Sequence, residues 1–498
     1  MTLETLLEGL EPQLNRRDLL LPVAGIACDS KQVKPGDLFI AVKGTVSDGA
    51  LYIPEAIRRG AKVIVTEKDF PSDGSVVKVI VADSRKALAK IALRFYENPS
   101  DQLRVIGITG TNGKTTVAYL IEACLRQARY GVGIIGTISH RVGERVLPAQ
   151  NTTPGILEVQ SLLSQMVHTH SDYAVMEVSS HALEQGRVEG IRFSAAVFTN
   201  LAQDHLDYHK TQEAYFEAKR RLFESLDENA TAVLNADSDV YEKIVPVTCA
   251  KRLSYGLRNS ADISATSLKM TSGGLRFHVT TPAGSAEISS DLIGTHNVYN
   301  ILAAIGVGLS QGLSLSILQK GIESLKGVPG RLEKIEAGQS FEVYVDFAHT
   351  EEALREVLTS LRKLTHGRLL LVFGCGGSRD RSKRPRMAEV AAKLADRIIV
   401  TSDNPRSEDP RAILQEIEAG FSPFKEYSLE EDRIRAIETA LFSAEAGDTV
   451  LIAGKGHETY QIFKDRTVPF DDRQIAYDIL SRSRNFEGHR RALPSGRP

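Results

Sequence analysis

Residues 110–116, GTNGKTT, have the composition of a loop that binds phosphate. They lie between an apolar run, RVIGIT, and a helical stretch, KTTVAYLIEACLRQA. The backbone N–H groups of such a turn, with the helix N-terminus, bind phosphate oxygens. Lys114 can reach the terminal phosphates of a nucleotide, and Thr115 is placed to bind Mg²⁺. A chance Lys-Thr pair after a glycine turn is the alternative, but the flanking strand and helix favour a nucleoside triphosphate site.

Two polar side chains follow apolar strands further along the chain. Glu177 comes at the end of YAVMEV, and His205 lies in FTNLAQDHLDYHK. Alone, a strand-end acid or a single histidine is usually structural. Ligands gather at the carboxyl ends of parallel strands, so the two residues beside a phosphate loop predict a metal site. The sequence contains no NKxD, which leaves a guanine-specific GTPase unsupported.

A second candidate site lies in the last third of the chain. Four apolar runs each lead into a polar loop: YVDFAHT, LLLVFGCGGSRDRSKRP, RIIVTSDNPRSED and VLIAGKGHETY. If the four strands are parallel, their loops converge on one crevice. Arg379 and Arg406 offer forked donors to a carboxylate, whereas Asp403, Asn404 and Glu458 can accept hydrogen bonds from an ammonium group. The alternative is four solvated connections, but the pattern favours a pocket for an amino acid.

The elements that must position these residues divide into three regions. Short strand-like runs alternate with helical stretches in residues 1–99, and βαβ alternation fills residues 100–331 and again residues 332–498. Residues 252–290 read as shorter strands with glycine turns, which predicts a hairpin elaboration. The sequence therefore predicts an α/β protein of three domains.

Composition excludes several classes of protein. The 61 basic and 63 acidic residues give a net charge of −2, so no basic excess indicates a nucleic-acid partner. No run approaches the length of a membrane span, and the N-terminus lacks the pattern of a signal peptide. The four cysteines are scattered without pairing motifs. We expect a reduced, cytoplasmic protein without a membrane span, and a monomer.

The motifs and their order resemble those of the Mur ligases of peptidoglycan precursor synthesis. The resemblance rests on GTNGKTT, MEVSSHALEQGR, DHLDYH, FEAK, GKGHE and DNPR, and it covers nearly the whole chain. GTNGKTT alone marks a wider group that includes folylpolyglutamate synthetases. The family fold implies an N-terminal α/β domain that binds the uridine nucleotide, a central P-loop ATPase domain and a C-terminal Rossmann-like domain.

The resemblance also implies three groups of binding residues. Those for ATP are Gly110, Thr111, Asn112, Gly113, Lys114, Thr115, Thr116, Asn297, Arg331, Asp346 and His349. Those for the UDP-muramoyl peptide are Ser30, Asn151, Thr152, Thr153, Ser179, Gln185 and Arg187. Those for diaminopimelate are Arg379, Asp403, Asn404, Pro405, Arg406, Gly454 and Glu458.

The resemblance gives Lys219, in FEAK, a role that composition could not show. In similar ligases this lysine reacts with CO₂ to form a carbamate, N6-carboxylysine, which supports the Mg²⁺ site. The expected catalytic residues are Lys114, Glu177, His205 and Lys219, and the expected metal-site residues are Thr115, Glu177, His205 and carbamylated Lys219. A carbamate needs a neutral amine, so the pKa of this lysine must be depressed or the carbamate trapped by metal.

The implied reaction is the ATP-dependent formation of an amide through an acyl phosphate. Mg²⁺ and ATP are required, and meso-diaminopimelate is joined to the D-glutamyl γ-carboxylate of the UDP-muramoyl dipeptide. Within the family, DNPR accompanies diaminopimelate-adding enzymes, and lysine-adding relatives lack its arginine. The alternatives are a ligase for lysine or another amino acid, a P-loop regulatory ATPase, and a degenerate binding module.

Overall fold

Short apolar runs near the N-terminus form a four-stranded parallel sheet. The structure is a computed structural model that describes residues 1–10, 14–44, 47–422 and 425–491. The two central strands are buried along their whole length, as expected when helices cover a parallel sheet. In sheet order the strands are Ile26–Ala27, Leu38–Ile40, Val63–Thr66 and Val77–Ile80. The α-helices are Leu3–Leu7, Arg16–Leu19, Ile53–Arg58 and Ser84–Phe95.

The middle of the chain builds an eleven-stranded sheet. Its centre is parallel, and antiparallel strands extend both edges. In sheet order the strands are Gly284–Ser290, Gly274–Thr281, Ile263–Thr271, Lys251–Gly256, Thr231–Asn235, Phe193–Phe198, Arg104–Thr109, Tyr173–Glu177, Val132–Ile135, Ser139–Val142 and Arg145–Pro148. The α-helices are Lys114–Gln127, Ile156–His168, Ser180–Glu184, Leu206–His209, Gln212–Glu224, Tyr241–Ile244, Thr295–Ser310 and Leu315–Ser324.

The order of these strands places the phosphate loop at the middle of the sheet. Arg104–Thr109 lies between Phe193–Phe198 and Tyr173–Glu177, and all three run in parallel. Their carboxyl ends therefore meet at one edge, as the sequence predicted for Glu177 and the phosphate loop. The hairpin elaboration expected between residues 252 and 290 is also present.

The last third of the chain forms a six-stranded sheet, parallel except for its first strand. The strands in order are Glu333–Lys334, Glu342–Asp346, Thr449–Ala453, Leu369–Phe373, Arg397–Thr401 and Tyr427–Glu430. A separate hairpin consists of Tyr460–Ile462 and Thr467–Pro469. The helices are Glu351–Arg362, Lys383–Leu394, Pro410–Glu418, Arg433–Ser443 and Asp472–Arg491.

A short linker joins the second sheet to the third. Gly330 and Leu332 both have positive φ, 65° and 45°, so the chain turns sharply on either side of Arg331. The buried carboxylate of Asp346 fixes this turn, because it accepts hydrogen bonds from the N–H of Leu332 at 2.6 Å and of Ala348 at 2.7 Å. The linker thus holds Arg331 against the central region. Among the described residues, no helix combines the length and apolar character needed to cross a bilayer.

Candidate active site

Two residues that follow the strand Phe193–Phe198 fix the shape of the phosphate loop. The N–H groups of Thr111 and Asn112 donate to the backbone and side-chain oxygens of Asn200, each at 2.9 Å. Thr199 Oγ1 donates to Asn112 O at 2.6 Å. Gly110 has a φ of 140°, and a Cβ there would collide with the Thr199 hydroxyl. The conformation therefore depends on glycine at this position and on neutral hydrogen bonds.

Thr115 and Glu177 meet at the edge of the sheet. Thr115 Oγ1 donates to Glu177 Oε2 at 3.0 Å, and Thr137 holds the same carboxylate through its N–H at 2.8 Å and its hydroxyl at 2.9 Å. Such oxygen donors fit Mg²⁺, which takes few protein ligands beside water and phosphate. Across the described part of the chain, no three His, Cys, Asp or Glu side chains are grouped to hold a metal ion.

Two lysines converge on one carbonyl of the phosphate loop. Lys114 Nζ donates to Gly110 O and Thr111 O, both at 2.9 Å, and Lys219 Nζ donates to Gly110 O at 2.8 Å. Burial and the nearby Lys114 charge lower the pKa of Lys219 well below its ordinary value. Burial also lowers the pKa of Lys114. The structure therefore favours a neutral amine at Lys219, as a carbamate requires.

His205 lies beside these lysines in a group of rings. Its Nε2 is 3.5 Å from Asp204 Oδ2, and its ring centre is 4.8 Å from that of His181. Burial lowers the pKa of both histidines to about 4, so both rings are neutral at physiological pH. A neutral imidazole is the form that binds metals.

A cavity of about 630 Å³ opens between the second and third sheets. Arg331 reaches across it, since Nη2 donates to Thr115 Oγ1 at 3.2 Å and the guanidinium lies 4.7 Å from the centre of the Phe347 ring. The expected ATP residues that line the cavity are Asn112, Gly113, Thr115, Thr116, Asn297, Arg331, Asp346 and His349. Gly110, Thr111 and Lys114, which also belong to the phosphate loop, do not line the cavity.

Four of the residues expected to bind the UDP-muramoyl peptide form one hydrogen-bonded group next to Glu177. Thr153 Oγ1 donates to Glu177 O at 2.8 Å and accepts from Ser179 N at 3.0 Å. Arg187 donates to Thr153 O at 2.7 Å and, through Nε and Nη2, to Gln185 Oε1 at 3.0 and 2.8 Å.

The other residues of that expected group are placed differently. Thr152 Oγ1 lies 2.9 Å from Thr137 Oγ1, which links it to the Glu177 carboxylate, whereas Asn151 is exposed. Ser30 is in the first domain, where its buried hydroxyl donates to Glu55 Oε2 at 2.7 Å. The structure thus leaves Ser30 apart from the central group.

The four polar loops of the third sheet do leave one edge, because the strands before them are parallel. Arg406 has a φ of 52°, and its N–H donates to Ile462 O at 3.0 Å, so the hairpin clamps it in an unfavourable backbone region. Its Nη1 donates to Gly377 O at 2.9 Å. Arg379 is exposed, and its Nη1 donates to the Ser378 carbonyl at 3.2 Å.

Hydrogen bonds from neighbouring loops hold Asp403, Asn404 and Glu458 in place. Asn404 donates to Glu458 Oε2 at 2.8 Å, and its own Oδ1 accepts from Ile462 N at 3.0 Å and Lys455 Nζ at 3.2 Å. That oxygen therefore accepts two hydrogen bonds, and Asn404 supports Glu458; its contact with diaminopimelate stays a prediction. Asp403 is buried, and its Oδ1 accepts from Asn404 N at 2.6 Å. Gly454 lies against the Asp403 carboxylate.

Sequence reasoning missed several residues that shape the two sites. Thr137 could have been found, since it closely follows the strand Val132–Ile135 at the same sheet edge. The sequence around Arg384 does not indicate that this side chain is buried. Its fully buried guanidinium donates to Glu408 at 2.9 Å and to Glu416 at 2.7 Å, behind the loop that contains Pro405.

Comparison with known proteins agrees with this architecture. The chain matches three family descriptions: "Mur ligase family, catalytic domain" over residues 22–96, "Mur ligase middle domain" over 108–308, and "Mur ligase, glutamate ligase domain" over 330–456.

Relatives match along nearly their full length. UDP-N-acetylmuramoyl-L-alanyl-D-glutamate–2,6-diaminopimelate ligase of Caldanaerobacter subterraneus subsp. tengcongensis is 43% identical over 97% of this chain and 100% of its own. The ligase of the same name from Geobacillus thermodenitrificans is 45% identical over 96% of this chain and 98% of its own.

Solved structures share the fold. A structure of a UDP-N-acetylmuramoyl-L-alanyl-D-glutamate–2,6-diaminopimelate ligase has a TM-score of 0.71 at 32% identity, covering 97% of this chain and 99% of that one. The MurF ligase of Thermotoga maritima in complex with ADP has a TM-score of 0.63 at 21% identity over 94% and 98%. From these matches along its length, the chain belongs to the Mur ligase family.

Proposed function

We propose that this protein is an ATP-dependent ligase that adds meso-2,6-diaminopimelate to the D-glutamyl γ-carboxylate of UDP-N-acetylmuramoyl-L-alanyl-D-glutamate, a step of peptidoglycan synthesis. The observation that carries the proposal is the edge of the third sheet, where the loops that contain Arg379, Arg406 and Glu458 follow neighbouring parallel strands. Diaminopimelate has a distal carboxylate and a distal ammonium that fit these charges, and the relatives named above act on it.

The first step activates the carboxylate. An oxygen of the D-glutamyl carboxylate bonds to the γ-phosphorus of ATP while the bond to the leaving ADP oxygen breaks, which gives an acyl phosphate. Lys114 and the loop N–H groups hold the phosphates, and Arg331 reaches the same place from the linker, where it contacts Thr115. Catalysis of this kind depends on positioning and on charge stabilisation.

Thr115 and Glu177 are the residues that would hold Mg²⁺, with His205 near the lysines behind them. When bound, Mg²⁺ offsets the charge that develops on the transferred phosphoryl group. The neutral Lys219 amine bonds to the carbon of CO₂ and releases a proton, which places an anion beside Lys114. Burial and the nearby Lys114 charge favour the neutral amine from which the carbamate forms, and the Lys114 charge would also attract the anion.

The second step forms the amide. The amine of diaminopimelate attacks the acyl carbon, the amine loses a proton, and phosphate leaves. Thr153, Ser179, Gln185 and Arg187 would hold the UDP-muramoyl peptide next to Glu177, so that its carboxylate faces both the phosphate loop and the third domain. Arg406 and Arg379 would bind the distal carboxylate, and Glu458 the distal ammonium.

A purified-enzyme assay tests the proposal. Phosphate release should require the UDP-muramoyl dipeptide and diaminopimelate together, and lysine should not replace diaminopimelate, because it leaves Arg406 without a carboxylate. Equal turnover with lysine would show a different amino-acid specificity. ATP hydrolysis that needs neither substrate would indicate a regulatory ATPase instead.

The proposal also covers the cell compartment and the oligomeric state of the enzyme. It acts in the cytoplasm on small-molecule substrates and as a monomer. Light scattering during size exclusion checks the oligomeric state, and a dimer would contradict it.

A further inference from the structure

The ammonium group of Lys455 lies behind the amino-acid crevice, and the reaction proposed above does not use it. The side chain is fully buried, and Nζ donates to Glu458 Oε2 at 3.0 Å and to Asn404 Oδ1 at 3.2 Å. A buried charge must be paired, and both partners of this one belong to loops of the crevice. Lys455 therefore ties the loop after Thr449–Ala453 to the loop after Arg397–Thr401.

These contacts fix one oxygen of Glu458 and leave the other to the crevice. Oε2 accepts from Lys455 Nζ and, at 2.8 Å, from Asn404 Nδ2. Asn404 cannot turn away, because its Oδ1 accepts from Ile462 N at 3.0 Å. Within the described residues Glu458 Oε1 accepts no hydrogen bond, and the side chain keeps 17% of its exposure. Oε1 is thus the acceptor that Glu458 offers to a ligand.

The carboxylates near Lys455 interact with more than one cation. Burial alone would raise the pKa of Asp403, but Lys455 and Arg433 hold it below its usual range, so Asp403 is ionised. Arg433 is paired with Asp472 at 2.7 Å, and both are fully buried. Lys455 is thus a buried cation shared between the carboxylates of Asp403 and Glu458, and Arg406 also interacts with both.

We propose that Lys455 is a positioning residue that makes the crevice specific for an amino acid with a second ammonium group. It aims Glu458 Oε1 at the distal ammonium of diaminopimelate. A ligand without that ammonium group leaves Oε1 without a hydrogen-bond donor, and the cost of this lost hydrogen bond lowers the affinity for such a ligand. The inference rests on the proposed function.

The test measures amine discrimination in the full-length enzyme with ATP, Mg²⁺ and the UDP-muramoyl dipeptide. The second amino acid is L-2-aminopimelate, which keeps the reacting amine and both carboxylates but lacks the distal ammonium group. The readout is the ratio of kcat/KM for diaminopimelate to that for 2-aminopimelate. Lys455→Met should lower this ratio by on the order of tenfold, the scale of coupling between contacting residues, with the KM for ATP unchanged. Lys464→Met, at an exposed lysine of the neighbouring hairpin, should leave the ratio unchanged.

A double-mutant cycle separates positioning from loss of structure. Glu458→Gln should lower the ratio as well, and adding Lys455→Met to it should lower the ratio no further, because Lys455 acts through Glu458. An unchanged ratio in Lys455→Met, or independent losses that add in the double variant, would overturn the inference.

Two other outcomes are a Lys455→Met variant that does not fold and a wild-type enzyme without ligase activity. If Lys455→Met does not fold, Lys455→Gln retains a donor toward Glu458 and should show a smaller fall in the ratio, whereas a wild-type ratio would again overturn the inference. If the wild-type enzyme shows no diaminopimelate-dependent phosphate release, the proposed function itself fails, which is a different outcome.

Discussion

The phosphate loop of the central domain and the amino-acid crevice of the third domain are built from different interactions. The loop is seven consecutive residues whose shape is set by glycines and by neutral bonds to Thr199 and Asn200. The crevice draws on four separate loops and is braced by buried charges such as Lys455 and Arg384. A site for a common phosphate can be local, whereas a site that selects one zwitterion needs charges fixed from several directions.

Lys219, the buried lysine of the central site, gives the largest expected effect. Lys219→Ala removes both the amine bonded to Gly110 O and the carbamate, so we expect ligation to fall by on the order of 10²–10³-fold, as when a group that stabilises transition-state charge is lost. Phosphate release and circular dichroism would be measured together. Lys251→Ala, at an exposed strand residue, is the matched control. Wild-type turnover in Lys219→Ala would refute the carbamate role.

Arg406 tests whether the crevice acts separately from the phosphate loop. Arg406→Ala removes a forked donor to the distal carboxylate, so the KM for diaminopimelate should rise by about 10- to 100-fold while the KM for ATP stays within about twofold. Arg411→Ala, in the helix that follows and with an exposed side chain, should change neither value. A parallel rise in both KM values would mean that the two sites are not independent.

Arg384 tests the idea that buried charges hold the crevice together. Arg384→Met leaves Glu408 and Glu416 without their buried partner, and we expect the free energy of unfolding to fall by about 2 kcal/mol, a reduced value because both glutamates keep some contact with water. Calorimetry suits a chain without tryptophan.

The control for Arg384 shares one of its partners. Arg381 is 64% exposed and also pairs with Glu416, so Arg381→Met should cost less than about 1 kcal/mol. Equal losses in the two variants would show that burial of the charge adds nothing.

The contrast between the sites also explains what the sequence could predict. The phosphate loop, Glu177 and the order of the parallel strands follow from local patterns, because a glycine turn between a strand and a helix has few solutions. The crevice could be located in the same way, since each loop follows an apolar strand.

The internal bonds of the crevice could not be predicted. Nothing in DNPR indicates that the amide of Asn404 is already bonded to Ile462 and Lys455. Arg384 looks like any surface arginine of a basic stretch, yet it is fully buried. Such pairings depend on residues far apart in the chain, and only the folded structure brings them together.

The smallest expected effect concerns Glu356, which lines the cavity between the second and third sheets. Burial and the nearby Glu352 raise the pKa of Glu356 to about 7. The native state therefore binds a proton that the unfolded chain releases near pH 4.3, so the stability due to this group falls as the pH rises toward 7. Glu356→Gln should raise the Tm by about 2 °C at pH 8 without nucleotide, and the gain should vanish at pH 4.5. Glu389→Gln, at an exposed glutamate of a neighbouring helix, is the control, and a gain that is the same at both pH values would show that Glu356 titrates normally.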